Sequence, residues 1–132
     1  MGVRVLWDDT DPTAILYRFD ASWTWQDFDD AIHRANTILS ALRHRVHIIL
    51  DMRYINWLPD GTLNYYRRLD DQAVSFNPGN VVVVRGERFS QAFWLYFWAI
   101  FSKTHQIPID RDCVRFASSL QEARTIIASV HA

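Results

Sequence analysis

The chain has 132 residues, 49% of them hydrophobic and 22% charged, with a formal net charge of -1. That composition excludes a disordered chain, and the length fits one domain, 1–132, whose core needs no metal or disulfide. With 14 basic and 15 acidic side chains there is no basic surplus or stripe, so no nucleic-acid partner is expected.

Two short strands open the chain, "VRVLW" (Val3 to Trp7) and "AILYRF" (Ala14 to Phe19). The turn formers of "DDTDPT" between them predict a close antiparallel pair. In "WTWQDFDDAIHRANTILSALRH" Thr24 caps a helix and Asp27, three residues on, reaches back as a variant capping box. Trp23 and Phe28 stand where a hydrophobic staple places them. Phe28, Ala31, Ile32, Ala35, Ile38, Leu39 and Leu42 then keep to one face.

"VHIIL" (Val46 to Leu50) is nearly all apolar, as a strand covered on both sides is. Leu63, Tyr66, Ala73 and Phe76 mark a second helix, stopped by "NPGN" at Asn77 to Asn80. "VVVV" (Val81 to Val84) is a further buried strand, followed by the aromatic helix "FSQAFWLYFWAIFSK". The loop "THQIPIDRD" leads to the strand "CVRFA" (Cys113 to Ala117). Ser119 and Glu122 make a full capping box for a last helix whose face is Ala123, Ile126, Ile127 and Val130. Alternation after the opening pair predicts right-handed crossovers. The fold class is therefore an α/β sandwich with about five strands, mostly parallel, an antiparallel N-terminal pair and four helices.

The element order, with "RFDASWTWQDF" at Arg18 to Phe28, "RVHIILDM" at Arg45 to Met52 and "RFASSLQEA" at Arg115 to Ala123, resembles the STAS domain, and more narrowly the SpoIIAA-like anti-sigma-factor antagonists. The resemblance covers nearly the whole chain and rests on apolar and capping patterns. It implies a small regulatory or binding module rather than an enzyme. In those antagonists a serine in a short Asp-Ser-Ser-Gly run, after the central strand, is phosphorylated by a partner kinase. Aligning "DMRYINWLPDGTLNYY" on Gly61 places Pro59 and Asp60 where the two serines stand, and leaves Thr62 as the only nearby hydroxyl. Asp60 then reads as a fixed negative charge at a helix N-terminus, at about 0.3–1 kcal/mol, or as a plain N-cap, at about 1 kcal/mol over alanine. A phosphorylated Thr62 is a third reading.

Chemistry is sparse. No glycine-rich dinucleotide fingerprint, phosphate-binding P-loop, nucleophile elbow or zinc-protease helix is present. "RGER" follows a strand and precedes a helix, so Arg85, Gly86 and Arg88 are candidates for an anion site or for a solvated loop. His44 and His47 flank a helix end and a strand start, which does not suit a shared metal. His33 falls beside the apolar face of its helix and reads as a boundary residue of that face rather than a ligand. Asp8, Asp9 and Asp11 fit a tight turn better than a cation site. Arg67 and Arg68 suit a solvated helix face. An enzyme using Asp60, Asp51 or a histidine finds no support in their spacing. No cofactor or metal is expected.

Cys113, alone and in a strand expected to be buried, is expected to be inert, and it suits a reducing compartment. Met1 to Trp7 lacks the basic and apolar regions of a signal peptide. The longest apolar run, Ala92 to Phe101, has ten residues, against about 20 for a membrane span. A cytoplasmic protein with no transmembrane segment is expected.

In the aromatic helix each residue advances about 100°. Phe89, Phe93, Tyr96 and Ile100 form one stripe, and Trp94, Phe97, Trp98 and Phe101 a second. A helix on a sheet needs one. Four such side chains carry about 600–1,000 Å², comparable with the roughly 800 Å² that one partner contributes to a standard interface. The second stripe is therefore expected to meet neighbouring elements or the "IPID" loop, a second copy in a homodimer, or an apolar ligand. A membrane surface is a further reading, opposed by the few basic residues flanking the helix. The function expected is a non-enzymatic STAS-like regulatory or protein-binding module, homodimeric through this helix. The alternative is a carrier of a small apolar molecule or lipid in an aromatic-lined groove.

Overall fold

A computed structural model describes residues 2–8, 11–42, 45–55, 57–69, 78–110 and 112–130. Its elements are β1 (Val3–Asp8), β2 (Asp11–Phe19), α1 (Trp25–Leu39), β3 (Val46–Met52), α2 (Thr62–Arg67), β4 (Pro78–Arg85), α3 (Gln91–Thr104), β5 (Val114–Ala117) and α4 (Leu120–Val130). They build one five-stranded sheet in the order β1-β2-β3-β4-β5. β1 and β2 are antiparallel, from Val3 opposite Phe19 to Trp7 opposite Ile15. The other three pairings are parallel. The fold class expected from the sequence is the one observed.

Strands laid down in chain order explain the layering. Each crossover steps the same way across the sheet, and right-handed crossovers of one direction put their helices on one side. The larger core accordingly joins Ile15, Tyr17, Phe19, Ile48, Leu50 and Val83 to α1, α2 and α3. The opposite pleats, Leu16, Ile49, Val82 and Val84, meet Ala123 and Ile127 of α4, the one helix that is not a crossover. β3 is buried at every position, which is why its sequence shows no alternation.

Local signals act much as the sequence suggests at α1. Thr24 Oγ1 accepts from the Asp27 N–H at 3.1 Å, and the Asp27 carboxylate accepts from the Thr24 N–H at 3.0 Å. Trp23 and Phe28 pack edge-on with centroids 6.3 Å apart, completing the staple. At α4 the box is only half made. Ser119 Oγ accepts from the Glu122 N–H, but the Glu122 carboxylate turns one residue further back, to the N–H and hydroxyl of Ser118. Two donors on one residue outcompete the single N–H the box would use.

α2 differs more. Its inward residue is Tyr65, stacked on Trp25 at 4.8 Å, whereas Leu63 and Tyr66 face outward. The buried face is one position out of phase with the apolar spacing of the sequence. Ala73 and Phe76, also assigned to this helix, lie outside the described residues.

Candidate functional site

The aromatic helix is the first correction. Trp94 and Trp98 are 5% and 6% exposed within the single chain, and Phe97 and Phe101 are fully buried. Trp94 packs edge-on against Phe116 of β5 at 5.5 Å. The Trp98 indole N–H donates to the Ile109 carbonyl at 2.9 Å, so the segment holding "IPID" covers it. Phe97 meets Phe19, Trp23 and Phe28. The stripe expected to form the dimer or ligand face is therefore core. α3 lies in an angle between sheet, α1 and the 105–110 segment, and that angle accepts a wider buried arc than a helix on an open sheet would need. From the other stripe Phe93 and Ile100 are buried too, and only Tyr96 stands out, at 66% exposure.

Tyr96 borders a groove of about 440 Å³ between α2 and α3, lined by Leu58, Leu63, Tyr66, Tyr96, Ala99 and Ile100. Its one hydroxyl of the helix start, on Thr62, is engaged elsewhere: it donates to the Pro59 carbonyl at 2.7 Å and accepts from the Trp25 indole at 3.0 Å. The Lys103 ammonium sits 4.5 Å from the Tyr66 ring centroid, linking the two helices at one end.

The loop that the resemblance matches to the phospho-acceptor does not use Asp60 as its cap. The cap of α2 is Gly61, at φ 84°, with no side-chain capping bond. A positive φ is cheap only for glycine. Asp60 is exposed and precedes the cap, while Pro59 is buried. Thr62 is half-buried, with its hydroxyl committed as described.

A second depression, of about 1010 Å³, opens at the carboxyl ends of β3, β4 and β5. Arg53, Tyr54, Trp57, Arg85, Arg88 and Ser118 are among its walls. In open α/β sheets this end of the strands is where ligands bind. The loops after β3 and β4 touch at Gly86: a Cβ there would lie well inside contact distance of the Arg53 carbonyl oxygen. Arg53 forks onto Asp51, with Nε and Nη2 each 2.9 Å from a carboxylate oxygen. Asp51 is fully buried and also lies 3.6 Å from Arg18 Nε. Its carboxylate is paired with both guanidiniums and holds Arg53 in place. The guanidinium of Arg53 lies over Tyr54 and that of Arg85 over Phe116. Exposed Glu122, at the rim, is held below the usual carboxylate range chiefly by the Ser118 donors and least by Arg85.

The sequence therefore picked out Arg85, Gly86 and Arg88 but missed Arg53, Tyr54 and Trp57, which share their cleft. Their signal was positional: "RYINW" directly follows a fully buried strand, as "RGER" follows another.

The remaining candidates do not gather. Asp8 is bound by Arg124 through Nε and Nη2. Asp9 and the Asp11 side chain lie outside the described residues, as does His44. His47 Nδ1 accepts from the Asn80 N–H. His33 is on the exposed surface of α1 and hydrogen-bonds the Asp29 carbonyl. Arg67 and Arg68 are exposed, and Cys113 is buried. Among the described residues no group of three metal-binding side chains occurs, and no helix is long and apolar enough to cross a membrane. No protein-family model matches the sequence, and no curated protein or solved structure matches it either.

Proposed function

We propose that the chain is a non-enzymatic, STAS-like regulatory module that works by binding a protein partner in the groove between α2 and α3. The observation that carries this is the open apolar surface in and beside it: Leu63, Tyr66 and Tyr96 of its walls are 60%, 39% and 66% exposed, and Leu95, next to Tyr96 in α3, is 58% exposed. At 150–250 Å² for a large ring, these four leave on the order of 400 Å² uncovered. Patches of roughly 300–600 Å² on monomers are often functional. The same figure is about half of what one partner brings to a standard stable interface, so it suits a transient partner better than an obligate homodimer. A groove between two helices with apolar walls fits the apolar side of a partner's amphipathic helix. Cytoplasmic placement accords with the lone Cys113.

The carrier reading has one observation in its favour, the 440 Å³ groove volume, within the range of small-molecule sites. Such sites use a few convergent polar groups to orient the ligand. The Thr62 hydroxyl, already committed twice, supplies none.

A photo-cross-linking residue at position 96 tests the proposal in living cells. The expected result is a discrete adduct with a second protein, abolished by Leu63→Glu and absent when the probe sits at Gln121. An adduct joining two copies of this chain, or no adduct at all, sinks it. Native mass spectrometry that finds a co-purified lipid would move the assignment to a carrier.

A further inference from the structure

We infer that the cleft at the carboxyl ends of β3, β4 and β5 binds a small anion carried on a planar ring, an aryl phosphate or an aryl carboxylate. The cleft shares no wall with the α2–α3 groove, so the two readings stand or fall separately.

Three features specify the ligand. The first is a set of guanidiniums, two of which are held in place before any ligand arrives. Arg53 is forked onto buried Asp51, and Arg85 rests over Phe116 with its carbon 5.1 Å from the ring centroid. Arg88 stands on the same loop and lines the same cleft. Guanidinium donors make charge-assisted, often bidentate bonds to phosphate and carboxylate oxygens.

The second feature is the charge balance, which limits the size of the anion. Arg18 and Arg53 are paired with Asp51 beneath the cleft, Arg85 acts on Glu122 at the rim, and Arg88 and Glu87 line the walls. Four cations against three anions leave a small positive excess. That suits one phosphate or carboxylate group and does not suit a polyanion or a nucleic-acid backbone.

The third feature is the aromatic wall. Trp57 is 41% exposed and is backed by buried Trp23, with ring centroids 6.3 Å apart. Tyr54 is exposed as well. Solvent-facing rings beside cations provide a surface on which a flat ligand stacks, in offset or edge-on geometry. Gly86 completes the site, because only a residue without a Cβ lets the β4–α3 loop lie against the Arg53 backbone and bring Arg85 and Arg88 to Arg53.

Titration calorimetry on the full chain tests this with phenyl phosphate, benzoate, inorganic phosphate and benzyl alcohol. Phenyl phosphate or benzoate is expected to bind one per chain, and whichever is tighter identifies the oxyanion. Inorganic phosphate is expected to bind about fivefold more weakly, since one ring contact is worth roughly 1 kcal/mol. Benzyl alcohol should give no heat. Arg85→Gln with Arg88→Gln should weaken the aryl anion by about tenfold or more, and Trp57→Ala should weaken the aryl anion while leaving inorganic phosphate unchanged. Arg88→Gln alone, on an exposed side chain, keeps the test decisive if the pair fails to fold. The inference is overturned if neither aryl anion binds at about 10 mM, if the arginine variants bind as the parent does, or if Trp57→Ala weakens ring-bearing and ring-free anions equally.

Discussion

Across 88 residues of chain, the Tyr17 hydroxyl of β2 lies 2.5 Å from Nε2 of His105 at the end of α3. On the other side of the imidazole, Nδ1 is 3.1 Å from the Phe101 carbonyl and 2.8 Å from Thr104 Oγ1. The network assigns the ring proton to Nδ1 and makes Nε2 the acceptor of the Tyr17 proton. The pair is polar in a region of rings: His105 stacks on Phe101 at 3.9 Å.

This arrangement makes stability depend on pH in a defined direction. Burial lowers His105 from 6.5 to about 3 and pushes the Tyr17 phenol up. The folded chain keeps His105 neutral while the unfolded chain protonates it below about pH 6.5. The contribution is therefore complete above 6.5 and is lost as pH falls toward 3, by up to about 1.4 kcal/mol per unit. Urea midpoints at pH 7, 6 and 5 should fall in that order. His105→Phe, which keeps the stack, should lower stability at pH 7 and flatten the slope. An unchanged slope in the variant would contradict the assignment.

Two neighbouring positions of α3 should respond very differently to truncation. Phe97 is fully buried among Phe19, Trp23 and Phe28, so Phe97→Ala is expected to cost about 3–5 kcal/mol in chemical unfolding. Tyr96→Ala, on the open side, should stay within about 0.5 kcal/mol. Equal losses would mean that the helix is rotated from the orientation described.

At Gly86 a methyl group has no room against backbone, which cannot swing aside as a side chain can. Gly86→Ala is expected to cost about 1–3 kcal/mol and to pry the loops after β3 and β4 apart. Thermal unfolding reads the first effect. Faster proteolysis of the loop around Arg53 reads the second.

Thr62 belongs to the brace of its own loop. Thr62→Val removes a hydroxyl that serves both Pro59 and Trp25, and should cost about 1–3 kcal/mol because the Trp25 indole loses one of its two acceptors. Attaching a phosphate there would break the same brace, so incubation with kinases should leave Thr62 unmodified in the folded chain.

How much of this was legible in the sequence differs by element. The apolar runs of β3 and β4 and the Thr24–Asp27 box are local patterns, and local patterns survive into the fold. The fate of Trp94 and Trp98 is not local. It depends on Phe116 and the Ile109 carbonyl, which follow them in the chain and which periodicity within α3 cannot register. The rotation of α2 was hidden for a similar reason, since Tyr65 turns inward to stack on Trp25 from a different helix. The cleft was half legible: "RGER" announced itself as a strand-to-helix loop, whereas Arg53 and Trp57 acquire meaning only beside it.

The side-by-side strand order has a consequence for synthesis. As the chain leaves the ribosome, every strand after the first finds its neighbour already made, so the sheet can grow outward at one margin. The tryptophans of α3 must wait, for their covers, the Ile109 carbonyl and Phe116, are translated after them. At about 5–20 residues per second, the interval between the end of α3 and Phe116 lasts on the order of a second. During it Trp94 and Trp98 lack those covers, and a chaperone arriving then would find its target in the very rings that the finished molecule hides.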